Sequence, residues 1–108
     1  MTRNANQWFS VGWAERTRGC VAQASGALTA AAAHFEEALR IFTSLDARYG
    51  VGRTRLGLGA LAHLRGNAAE AAAHLIDAHR AFKALHVPRY VARTEALGAR
   101  LGIPLACA

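Results

Sequence analysis

Apolar residues in the middle of the chain recur at helical spacing. Phe35, Ala38, Leu39, Phe42 and Leu45 stand at i, i+3, i+4, i+7 and i+10, which places them on one stripe of a helix. Leu75, Ala78, Phe82 and Leu85 repeat that stripe further on. Between such segments come Ser25-Gly26 and Arg65-Gly66-Asn67, where glycine can take a positive φ and end one helix while Asn67 caps the next. His86-Val87-Pro88 is a further break, because proline lacks an N–H and biases the residue before it away from helix. This punctuation predicts helices over 8–24, 28–46, 50–65, 69–85 and 89–102.

The stripes belong to a longer repetition. Shifted by forty residues, Ala31-Ala32-Ala33-His34 falls on Ala71-Ala72-Ala73-His74. In the same register Ala38, Arg40, Phe42, Leu45, Val51, Arg53, Thr54 and Leu61 fall on Ala78, Arg80, Phe82, Leu85, Val91, Arg93, Thr94 and Leu101. Twelve of thirty-five positions are identical, well beyond what an alanine-rich composition supplies by coincidence. Val11-Gly12, Gly19, Ala22 and Gly26 fall on Val51-Gly52, Gly59, Ala62 and Gly66, so the period extends back to the start of the chain. A single helix pair cannot bury both of its apolar faces. Neighbouring pairs must therefore stack, and the expected fold is an all-α solenoid of about two and a half helix hairpins, in units of about 8–46, 50–85 and 89–104.

Composition agrees with helix. Alanine is abundant, only two prolines occur, and the 108 residues suit one domain. Thirteen basic residues face seven acidic ones, and all of the basic residues but Lys83 are arginine. Such a surface attracts anionic partners, yet the arginines are spread out, with no basic run and no interleaved aromatic ladder to argue for nucleic acid. Arginine, alanine and glycine at the expense of lysine also fit translation from a GC-rich bacterial genome. Cys20 and Cys107 form no C-x-x-C pair and no secretory signal precedes the first helix, so both read as free thiols in a reducing cytoplasm. Charged or polar residues interrupt every apolar run before it reaches the ~18 residues of a membrane span.

Catalytic and metal chemistry find little support. His34 and His74 are repeat equivalents, His74 and His79 stand five apart rather than four, and no H-E-x-x-H occurs, so the five histidines are expected on helix faces without a metal. Glu36 and Glu37 are adjacent and point to different sides of their helix, with Glu36 placed to pair with Arg40 at i+4. Ser10, Ser25 and Ser44 lack a G-x-S-x-G context and a base. Gly57-Leu58-Gly59 lies in mid-helix with no Lys-Ser/Thr after it, which excludes a phosphate loop. The helix glycines are instead expected to let neighbouring helices approach closely. No enzyme activity and no cofactor are expected.

Leu58-Gly59, Gly66 seven residues on, then Ala71, Leu75 and Ala78 resemble the tetratricopeptide repeat, and Gly19, Gly26, Ala31, Phe35 and Ala38 occupy the same places one unit earlier. The resemblance covers about residues 8–104, although the period is forty rather than thirty-four and Ala62 stands where an aromatic is usual. It implies a concave face, lined by the first helix of each pair, that holds a peptide or protein segment. The positions it nominates are Trp13, Arg16, Cys20 and Gln23 in the first unit, Arg53, Leu56, Ala60 and His63 in the second, and Arg93 and Arg100 in the third. Arg53 and Arg93, one period apart, should project in register and could hold carboxylates, unless acids such as Glu95 engage them first.

The ends supply a second expectation. Trp8 and Phe9 crowd the first helix, and Val91, Leu97 and Leu101 lie on a last helix with no further helix to cover it, a pattern expected of a chain that self-associates through an end or is a piece of a longer array. The sequence thus favours a protein-binding scaffold of a bacterial regulatory system. A basic nucleic-acid-associated regulator and a purely structural oligomerisation module are the alternatives.

Overall fold

The computed structural model of the chain describes residues 3–105. Five helices form, α1 (Ala5–Ala24), α2 (Leu28–Ser44), α3 (Arg48–Leu64), α4 (Ala68–Ala84) and α5 (Pro88–Leu101), and no strand occurs among the described residues. Each helix packs on the next, giving an all-α solenoid of two hairpins, α1–α2 and α3–α4, followed by the unpaired α5. The chain measures 47 × 33 × 19 Å, and its thinnest dimension equals about two helix diameters. α1, α3 and α5 line one side. On the opposite side Ala32 and Glu36 of α2 and Glu70 of α4 flank a narrow crevice over Leu58 and Leu61 of α3.

The four joints between helices share one geometry. Gly26, Asp46, Gly66 and His86, spaced twenty residues apart, take φ of 85°, 51°, 77° and 57°. The N–H of the residue after each reaches back to the carbonyl of Ala22, Phe42, Ala62 or Phe82 at 2.8 to 3.1 Å, which is the Schellman closure of a helix end. Only the two glycines announce this turn in the sequence. For that reason α2 and α4 end at Ser44 and Ala84, one or two residues before the expected 46 and 85. At the start of the chain Asn4 accepts a bond from the Gln7 N–H while the Gln7 side chain accepts from the Asn4 N–H, so α1 opens three residues earlier than the apolar pattern indicates. Asn67 caps α4 as expected, accepting from the Glu70 N–H at 3.1 Å.

A left-handed conformation strains an ordinary L-residue by about 1 to 2 kcal/mol, whereas glycine adopts it freely but gains flexibility in the unfolded chain. Asp46→Gly should therefore raise unfolding stability by about 0.5 to 1 kcal/mol. The exposed Asp46–Arg48 contact at 3.7 Å adds little that would be lost. Urea unfolding followed by helical circular dichroism measures the shift, and an unchanged or lower midpoint would contradict it.

The glycines of the first helices seat aromatic rings. Phe35 of α2 is fully buried between Gly19 of α1 and Gly57 of α3, with ring carbons 2.7 Å from where a Cβ would stand at either glycine. Phe42 lies in the same way between Gly12 and Gly50, at 2.8 and 2.6 Å. One unit on, Phe82 occupies the place of Phe42, pressed on Gly52 at 2.9 Å, while Leu75 of α4 fills the notch at Gly59. Backbone approach thus serves to clamp rings of the second helices, which is more specific than helix proximity alone. Thr54 and Thr94, repeat equivalents and both fully buried, satisfy their hydroxyls on the carbonyls of Gly50 and Tyr90 four residues back.

α5 receives part of its cover from the residues that follow it. Gly102 turns left-handed at φ 76°, the Ile103 N–H bonds to the Gly98 carbonyl at 2.7 Å, and Leu105 lies buried over the bare Gly98 backbone. The other flank stays open. Gly52 is buried beneath Phe82, but Ala92, at the same repeat position one unit later, is exposed beside Val87, Pro88 and Val91.

Candidate functional site

The side of the slab formed by α1, α3 and α5 carries a groove of about 340 Å³. Successive first helices place the same repeat positions side by side there. Trp13, Arg53 and Arg93 form one such row, and Arg16, Leu56 and Ala96 form a second. Five of the residues nominated from the sequence, Arg16, Arg53, Leu56, Arg93 and Arg100, line the same groove, and Leu97 joins them. Gly57 forms part of its wall and also borders a second, more apolar hollow with Cys20, Gln23 and Ala60. Cys20 is a free exposed thiol. Cys107 lies outside the described residues. His63 is exposed on the last turn of α3 and borders neither hollow.

Two residues that the sequence reading did not nominate organise the groove. Tyr49 opens α3 and Tyr90 opens α5, their rings 5.7 Å apart, and Tyr49 continues to Trp13 of α1 at 5.9 Å. Phe42 and Phe82 pack behind this row at 4.9 Å from Trp13 and 5.2 Å from Tyr90. Arg53 lies over the row, 4.5 Å from the Tyr90 ring centre and 5.7 Å from those of Tyr49 and Trp13, and donates through Nη1 to the Tyr49 hydroxyl at 3.0 Å. Arg93 approaches Tyr90 at 5.3 Å and Arg16 approaches Trp13 at 5.7 Å. The spacing held a clue: each tyrosine precedes its arginine by three or four residues, the distance at which side chains meet on a helix.

The acids are engaged elsewhere. Glu95, the expected local partner of Arg93, receives His79 Nε2 of α4 at 2.7 Å. Glu15 of α1 holds His34 of α2 at 2.8 Å and Arg18 at 2.7 Å, and these contacts, chiefly the one from His34, keep its carboxyl below the ordinary range. Arg55 reaches Asp77 and the ring of His74, whose basicity is lowered by burial and then by Arg55 itself. Arg40 pairs with Glu37 at i+3 rather than with Glu36, which instead borders the crevice on the far side of the slab. Among the described residues Arg16, Arg53, Arg93 and Arg100 form no ion pair. Arg16 Nε is buried without a partner, and burial followed by repulsion from Arg53 holds its pKa below the usual arginine value. At Tyr90 burial works to raise the phenol's pKa, but the Tyr49 hydroxyl and the guanidiniums of Arg53, Arg93 and Arg89 outweigh it and leave the pKa lowered.

The residues expected to favour self-association lie on α1 and α5, the first and last helices. Trp8 is half-buried under Arg3, and Phe9 is 42% exposed against Trp13 and Phe42. Val91 borders the open flank of α5, Leu97 faces the arginine groove, and Leu101 is half-buried in the last turn of α5. Among the described residues no three His, Cys, Asp or Glu side chains converge as metal ligands, and no helix is long and apolar enough to cross a membrane. Comparison of the chain with protein-family models, curated proteins and solved structures returns no match.

Proposed function

We propose that the chain is a protein-interaction module of the tetratricopeptide type and that its groove holds an acidic segment of a partner protein. The observation that carries this reading is the set of four arginines around one groove, none of which pairs with a carboxylate among the described residues. A guanidinium set against aromatic rings is held in place, and the N–H groups it does not spend inside the protein, as Arg53 spends one on Tyr49, remain for contact to a carboxylate. Leu56, Ala96 and Leu97 supply apolar contact for the intervening parts of the segment. Burial of that surface adds affinity, while the charges set orientation and encounter rate. Docking within a cytoplasmic bacterial regulatory system is the role such a groove would serve.

The test is affinity capture from native lysate with the wild-type chain and with the Arg53→Glu/Arg93→Glu variant, quantified alongside a labelled oligoglutamate peptide. Reversing both charges should weaken peptide binding by at least about tenfold, the equivalent of one charge-assisted contact, and should release the captured partner. Full retention of partner and peptide by the variant would overturn the groove reading and favour a structural oligomerisation module. Tighter binding to random duplex DNA than to the peptide, falling steeply with salt, would favour the nucleic-acid alternative.

A further inference from the structure

The arginine groove holds more positive charge than a single carboxylate can balance. Arg53 and Arg93 share the ring of Tyr90, while Arg16 and Arg53 share that of Trp13. Three guanidiniums therefore gather along the aromatic row, on Trp13 and Tyr90 at either side of Tyr49, and Arg100 lines the same hollow. The protein tolerates this at a cost visible in Arg16, whose Nε is buried with no acceptor. The aromatic contacts hold the guanidiniums in place, and the N–H groups not already bonded or buried within the protein remain for a ligand. At about 340 Å³ the hollow stands at the lower end of small-ligand clefts, large enough for one modified side chain and too small for a folded element.

Resting on the reading of this face as a peptide groove, we propose that the Arg16, Arg53, Arg93 and Arg100 pocket is a phosphate-monoester site that seats a phosphorylated side chain of the bound segment. A carboxylate brings one charge and two acceptor oxygens. It can satisfy one guanidinium fork and leaves the others repelling each other. A phosphate monoester brings about −1.5 to −2 charges near neutral pH and three strong acceptor oxygens, enough to bond several guanidiniums at once. Arg16 lines the same hollow, so an oxygen placed among the guanidiniums there is also within the reach of its side chain. Leu56, Ala96 and Leu97 form the apolar wall against which the carbon atoms of the modified side chain would lie.

The test uses the full chain and two labelled Gly/Ser peptides that differ only at one central residue, phosphoserine in one and Glu in the other. The phosphopeptide should bind at least about tenfold more tightly. Arg53→Gln and Arg93→Gln should each remove most of that preference, whereas Arg80→Gln, on the exposed surface of α4, should leave it intact. Circular dichroism confirms the fold of each variant, and the exposed position of Arg93 keeps the test valid if the half-buried Arg53 proves structural. A bound dianion also counters the field of Arg53 and Arg93, so phenol absorbance should show Tyr90 ionising at higher pH in the complex. Equal affinity for the two peptides would overturn the phosphate site while leaving the acidic-segment reading in place. Absence of binding to either peptide, or binding indifferent to both Arg53 and Arg93, would overturn the two together.

Discussion

Phe35→Ala should lower the unfolding free energy by about 3 to 5 kcal/mol, at the upper end of that range. The cost of a deleted ring depends on how far the surroundings can collapse into the space. Here the two walls are the bare backbones at Gly19 and Gly57, which have no side chains to move inward. Ala31, Leu58 and Leu61 of the same buried cluster would lose their contacts as well. Domains of this size are commonly stable by about 5 to 15 kcal/mol, so the variant should retain only part of its stability at room temperature. Urea denaturation monitored at the helical band measures the effect. A loss below about 1 kcal/mol would mean that the ring does not set the spacing of α1 and α3.

Gly50→Leu should cost about 3 kcal/mol by the opposite mechanism, overfilling. A Cβ at Gly50 would stand 2.6 Å from the Phe42 ring, and the ring has little room to retreat because it also lies against the Gly12 backbone, where a Cβ would stand 2.8 Å from it. The modest gain in helix propensity on replacing glycine, about 1 kcal/mol, is too small to offset such a clash. Combining Gly50→Leu with Phe42→Ala vacates the volume the new side chain needs. The double variant should be more stable than the sum of the two single losses implies, with a coupling of about 1 to 3 kcal/mol. Strict additivity would contradict direct competition for one space.

Much of the fold is legible in the sequence because helix-forming information is local. The stripes Phe35–Leu45 and Leu75–Leu85 and the glycines at 26 and 66 place α2 and α4 and mark two of the four joints. Asp46 and His86 make the same left-handed turn without a residue type that announces it, since there the bonds to the carbonyls of Phe42 and Phe82 override local preference. Residues of the groove were legible from repeat register, which carries Trp13, Arg53 and Arg93 to one row. Tyr90 was not, because its repeat equivalent is Gly50 and comparison of identical positions passes over it. Its role emerges only when α3 and α5 lie side by side. The pairing of Glu95 with His79, which leaves Arg93 without that partner, likewise depends on how α4 packs against α5.

The joints at 26, 46, 66 and 86 give the array a constant stride. At all four joints one helix ends and the next begins at the same phase of a twenty-residue cycle, so the rotation and rise from one element to the next are set by one local rule. A forty-residue segment duplicated in frame, wherever its cut falls, rejoins with that phase intact. Lengthening such an array adds a rung to the row of Trp13, Arg53 and Arg93 without redesigning any existing contact. A partner's reading frame could thus be extended one hairpin at a time, much as a ruler is lengthened by adding divisions of the same size.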